Sequence, residues 1–128
     1  MLKVEFPGDV SSEEGQGKAL ESCKRLNKGI NVPWVILSAG VSFDSFKTQV
    51  KISCQAGASG YLAGRSIWRD AVSTHDPKAK VGAIANAIAR LAELNAITRA
   101  HGKAYLPTFS GAALHEVLPE FWYEGWHP

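Results

Sequence analysis

The sequence is short of several things that would mark particular classes of protein. No apolar run approaches the roughly 20 residues that cross a bilayer, and Met1-Leu2-Lys3-Val4-Glu5-Phe6-Pro7 lacks a signal peptide's long apolar core. A cytoplasmic, membrane-free protein is expected. There are only two cysteines, Cys23 and Cys54, without C-x-x-C spacing, and both fall at helical core positions. They read as buried free thiols, which excludes a zinc ribbon or a redox pair. The four histidines, His75, His101, His115 and His127, show neither H-x-x-H nor H-E-x-x-H spacing, so no metal is expected. Charge of one sign is also scarce. A net charge of +2 with interspersed signs makes no basic stripe, and no lysine or arginine run has aromatics between its charges. Nucleic acid is therefore not an expected partner. Internal repeats and low-complexity segments are absent as well.

What is present is an alternation of short apolar runs and amphipathic segments. Leu2 to Phe6 reads as a strand closed by Pro7-Gly8-Asp9. Ser11 or Ser12 to about Asn27 reads as a helix, with Glu13 and Glu14 in its first turn, Ala19, Leu20, Cys23 and Leu26 at helical spacing, and Gly29 as its stop. Pro33 to Gly40 is a continuous apolar run of the kind found in parallel strands covered on both faces. Ser42 then caps a helix whose Phe43, Phe46, Val50 and Cys54 share one face, and Ala56 to Gly60 leads into a third strand, Tyr61-Leu62-Ala63. A short helix from Ser66 to Val72 is broken at His75-Asp76-Pro77. The longest helix follows from about Lys80 to His101, with Val81, Ile84, Ile88, Leu91 and Leu94 or Ile97 on one side and Gly102 at its end. The expected class is α/β, with about three parallel strands and their helices over residues 1–104. Residues 105–128 form an aromatic tail with Phe109, Phe121, Trp122, Tyr123 and Trp126, expected to pack on the domain or on a partner chain.

In parallel α/β sheets ligands lie at the carboxyl ends of the strands. Ser38-Ala39-Gly40 offers there a hydroxyl and a close backbone approach. Gly64-Arg65-Ser66 adds a guanidinium and a helix start, whose free N–H groups and positive dipole end favour an anion. Either motif alone also suits a plain turn or a surface arginine; together, at the ends of successive strands, they point to phosphate. Lys3 stands inside an apolar strand, with Glu5 on its face and Leu2, Val4 and Phe6 on the other. A lysine facing a barrel interior is desolvated, which leaves a free amine able to attack a carbonyl. A lysine on an edge strand can instead serve only to discourage aggregation. The pattern leaves both readings open.

At these residues the sequence resembles a known family. Lys3 to Pro7, Pro33 to Val41 and Ala56 to Trp68 resemble the last three strands of the class I tagatose 1,6-bisphosphate aldolases and their relative, sulfofructosephosphate aldolase, and the likeness runs from Leu2 to about Ala104. It implies the C-terminal portion of a (β/α)8 TIM barrel, incomplete without strands one to five. It also implies that Lys3 is the Schiff-base lysine, that Ser38, Gly40, Gly64 and Arg65 hold a phosphate, and that Leu62 lines the pocket. The implied reaction is cleavage of a ketose 1-phosphate or 1,6-bisphosphate to dihydroxyacetone phosphate and an aldehyde, with no cofactor. The alternative is a module that binds a phosphorylated ligand and has lost catalysis. An open sheet with uncovered edges further leads us to expect a homo-oligomer, a two-fold dimer in the simplest case.

Overall fold

Three helix starts are written in the same chemistry. Ser12 Oγ accepts the Gly15 N–H at 3.0 Å, Ser42 Oγ accepts the Ser45 N–H at 3.3 Å, and the Asp76 carboxylate accepts the Lys78 and Ala79 N–H groups at 3.2 and 3.1 Å. Each satisfies donors that the first turn of a helix leaves without a partner. In the computed structural model, which describes residues 1–105, these caps open α1 (Glu13–Gly29), α2 (Phe43–Gln55) and α4 (Pro77–His101). The remaining elements are β1 (Leu2–Val4), β2 (Trp34–Leu37), β3 (Gly60–Leu62) and α3 (Arg65–Ser73).

The strands form one parallel sheet in the order β1-β2-β3, with Lys3 opposite Val35 and Val35 opposite Gly60. The βαβαβ alternation therefore holds, and the strands are shorter than the apolar runs that announced them. β2 is the central strand and the best buried, with Trp34, Val35 and Ile36 all in the core and Leu37 partly covered. Phe46 and Val50 of α2 are fully buried against this sheet, and the Phe46 ring meets Tyr61 of β3 edge-on at 5.9 Å between centroids. Cys23 and Cys54 are buried free thiols as expected. Burial pushes both thiols up.

Gly57 ends the α2 region with φ +109°, and a Cβ there would stand 2.6 Å from the Asn27 side chain. Asn27 Oδ1 also accepts the Trp34 indole N–H at 3.1 Å. The end of α1, the start of β2 and the turn before β3 are thus tied at one point.

Two expectations about α4 need correction. The helix begins at Pro77 rather than Lys80, because proline is accommodated at the first helical position once Asp76 caps the turn. The expected apolar stripe also holds only in its second half, where Leu91, Leu94 and Ile97 pack on the core. Ala87 and Leu94 are buried and Leu91 packs on the core, whereas Val81, Ile84 and Ile88 are exposed, at 70%, 46% and 63%. Apolar periodicity identifies a face; it does not say which residues find a partner. α2 and α3 are the elements packed on α4. Arg90 ties α4 to α3 by donating to the Ile67 carbonyl at 3.2 Å and pairing with Asp70 at 2.9 Å. The aromatic tail, with Phe109, Phe121, Trp122, Tyr123 and Trp126, lies outside the described residues.

Candidate functional site

The carboxyl end of each strand delivers one part of an open groove of about 400 Å³, lined by Lys3, Leu37, Ser38, Ala39, Gly40, Leu62, Ala63, Gly64 and Arg65. All six residues singled out from the sequence, Lys3, Ser38, Gly40, Leu62, Gly64 and Arg65, are in it.

β1 presents Lys3 in register with Val35. Of the two readings the pattern left open for Lys3, the desolvated one is not found: its side chain is exposed. A three-stranded sheet does not curl back on itself, so its inner face stays open and the lysine keeps contact with water.

β2 stops at Leu37, and the Ser38 N–H donates to the Leu62 carbonyl at 3.1 Å, which extends the pairing with β3 by one residue. The chain then reverses through a tight turn closed by the Val41 N–H on the Ser38 carbonyl at 3.1 Å, with Ala39 at φ 46° and Gly40 at φ 80°. Positive φ at both central positions is the signature of a type I′ turn. Gly40 adopts it freely; Ala39 does so at a cost of about 1 kcal/mol. Gly40 is further constrained because a Cβ there would lie 3.3 Å from the Arg65 guanidinium carbon. Arg65 packs directly over this bare backbone.

Beyond β3, Gly64 opens α3 without a side-chain cap, and its carbonyl accepts the Ile67 and Trp68 N–H groups at 2.9 and 3.2 Å. The leading N–H groups of α3 have no intrahelical acceptors and face outward along the helix axis. The Ser38 hydroxyl, the Ser38–Val41 turn, the Arg65 guanidinium and the start of α3 thus converge, which is chemistry suited to an oxyanion with several acceptor oxygens. Among the described residues no carboxylate lines this groove, and no group of three or more His, Cys, Asp or Glu side chains could hold a metal ion. No described helix is long and apolar enough to cross a membrane.

Two further residues touch the site from behind: Ser66, named above only as part of the helix start, and Arg69, which the sequence did not single out. Ser66 Oγ donates to the Val41 carbonyl at 2.7 Å, and Arg69 Nη2 donates to the Gly40 carbonyl at 3.1 Å. Arg69 follows Arg65 by four positions, which places both on one side of α3; that spacing was the available signal. A more enclosed cavity of about 220 Å³ lies at the opposite end of the sheet, between Asn27, Trp34, Gly57 and Tyr105. It sits at the amino ends of the strands and lacks this convergence of anion-binding groups.

The sequence pattern of the DeoC/LacD family aldolases matches residues 1–70, more than half of the chain and the whole of the groove from Lys3 to Arg65. The chain belongs to the DeoC/LacD aldolase family. Within that family it is similar to tagatose 1,6-diphosphate aldolase from Staphylococcus aureus strains MSSA476, MW2 and JH9, at 33% identity over 86 residues in each case. The matched region is 59% of this chain and 26% of each relative, so the chain spans about a quarter of the length of the curated relatives it matches. The DeoC/LacD fold is a (β/α)8 barrel, and the parallel β1-β2-β3 sheet with its helices is a part of one.

Proposed function

We propose that this chain carries the nucleophile and the phosphate site of a Schiff-base aldolase. The observation that carries the reading is the meeting of Lys3 with the anion-binding groups in one groove at the carboxyl ends of the strands. Ser38, the Gly40 backbone, Gly64 and Arg65 would hold the phosphate of a ketose 1-phosphate, with Leu62 as a wall. Lys3 Nζ then attacks the C2 carbonyl, and the carbinolamine loses water to an iminium. Breaking the C3–C4 bond sends its electron pair into the iminium to give an enamine, while the C4 hydroxyl loses its proton and leaves as an aldehyde. Protonation of the enamine at C3 and hydrolysis release dihydroxyacetone phosphate and restore the amine. The steps need no organic cofactor. The likeness to tagatose 1,6-diphosphate aldolases supports a tagatose 1,6-bisphosphate type of substrate, and the spacing of the three strand motifs a sulfofructose 1-phosphate type.

A second reading is a phosphate-binding module without catalysis. The exposure of Lys3, and a groove that no carboxylate lines among the described residues, favour it. Incubation with dihydroxyacetone phosphate and sodium borohydride separates the two. A covalent adduct mapped to Lys3 supports the aldolase; saturable binding with no adduct supports the module.

Arg65→Ala is expected to weaken binding of dihydroxyacetone phosphate by about 1.5 kcal/mol, the low end for a charge-assisted hydrogen bond, because Arg65 is exposed. Unphosphorylated dihydroxyacetone should be nearly indifferent. Calorimetric titration of both ligands checks this, and equal losses would make Arg65 a structural residue.

We also read the open sheet face and the exposed Val81, Ile84 and Ile88 as surfaces that assembly of this chain covers. Sedimentation equilibrium should return a mass above that of the monomer as concentration rises. A single monomeric mass throughout would discard the homo-oligomer.

A further inference from the structure

Arg69 makes none of the anion contacts proposed above, yet it is bound to the turn that makes them. Its Nη2 donates to the Gly40 carbonyl at 3.1 Å, while Ser66 Oγ, from the same helix, donates to the Val41 carbonyl at 2.7 Å. Two successive carbonyls of the Ser38–Val41 turn are therefore held by two side chains of α3. This turn is where holding is needed. Ala39 sits at φ 46°, a region that alanine leaves readily when nothing retains it, and the backbone bond across the turn is the Val41 N–H on the Ser38 carbonyl at 3.1 Å. The turn also carries the Ser38 hydroxyl and the Gly40 backbone, against which the Arg65 guanidinium packs. If it relaxed, Arg65 would lose its seat and the hydroxyl its direction.

We infer that Arg69, together with Ser66, is a positioning residue for the anion cradle: it clamps the left-handed turn after β2 onto α3, so that Ser38, Gly40 and Arg65 present one preorganised surface. This rests on the reading of the groove as a phosphate site. A guanidinium could also favour an anion by its charge alone, and the two roles differ in their response to salt, because a long-range field is screened at high ionic strength while a hydrogen bond to a carbonyl is much less so.

The test uses the whole chain, inorganic phosphate and dihydroxyacetone phosphate as probes, and titrations followed by backbone amide resonances at low salt and at 0.5 M sodium chloride. Arg69→Ala should weaken both probes about five- to tenfold, the scale of one lost hydrogen bond acting through a mobile turn. The loss should persist at high salt, and the Val41 amide, which follows the Gly40 carbonyl, should shift in the free protein. Arg69→Lys, which keeps a donor, should recover most of the affinity, and Ser66→Ala should reproduce the loss in part. Affinities equal to the parent chain, or a loss that vanishes at high salt, overturn the positioning role while leaving the phosphate site intact. A parent chain that binds neither probe overturns the phosphate reading itself and this role with it.

Discussion

Replacing Lys3 by alanine is expected to abolish the mass increase that dihydroxyacetone phosphate and borohydride leave on the chain, while phosphate affinity stays within about threefold of the parent. The two halves of the result come from different strands. The amine is on β1, whereas Ser38, Gly40, Gly64 and Arg65 lie after β2 and β3. Lys3 is exposed, so its removal opens no cavity, and stability should move by no more than about 0.5 kcal/mol. Peptide mapping after reduction is the decisive measurement. An adduct that survives the substitution, or that maps to Lys18 or Lys103, would end the assignment of Lys3 as the nucleophile.

The second large effect is on the fold beneath the groove. Phe46→Ala should destabilise the chain by about 3–5 kcal/mol, the range for removing a large aromatic from a core. Phe46 is wholly buried, packs in the cluster that includes Trp34 and Ile36, and meets Tyr61 edge-on. Against the roughly 5–15 kcal/mol that typically holds a domain together, at least about a fifth of the stability rests on one ring. Urea unfolding followed by circular dichroism would show it as a fall in midpoint. A loss under about 1.5 kcal/mol would mean that the space between α2 and β3 closes without it. Because Tyr61 lies next to Leu62 on β3, the same substitution should also loosen the groove, and phosphate binding should fall in a protein that is still folded at low temperature.

Much of this architecture was legible because the local chemistry is unambiguous. The first helix could be read as starting at Ser11 or Ser12 from the acidic residues that follow, Ser42 could be read as a cap, and the run from Pro33 to Gly40 could be read as a buried parallel strand because it has no polar alternation. The groove residues were legible for a different reason: glycine, serine and arginine recur where strands end, and the topology of a parallel sheet brings strand ends together without further instruction. What could not be read depends on geometry in three dimensions. Whether Ile88 or its neighbour Ala87 faces the core turns on a rotation of about 100° about the α4 axis, and side-chain size argued for the wrong one. The exposure of Lys3 depends on how much of a barrel surrounds it, which a period-two pattern within one strand does not encode. Arg69 was missed because its partner is a backbone carbonyl, and every residue offers one of those; only the fold selects the Gly40 carbonyl among them.

The groove is unevenly open to change by mutation, and hence to adaptation. A side chain at position 40 is disfavoured by the backbone dihedral, and the guanidinium against it would have to shift to admit one. Ser66 is committed to the Val41 carbonyl, and Ser38 is 93% withdrawn from solvent in a turn that pairs with β3. Leu62 is in a different position: half of its side chain projects from the end of β3 into open space. New shapes and polarities can be tried there while the backbone of the Ser38–Val41 turn stays where it is. On the proposed phosphate reading, selection for a different sugar chain has its easiest foothold at the wall of this groove, and its hardest at the floor.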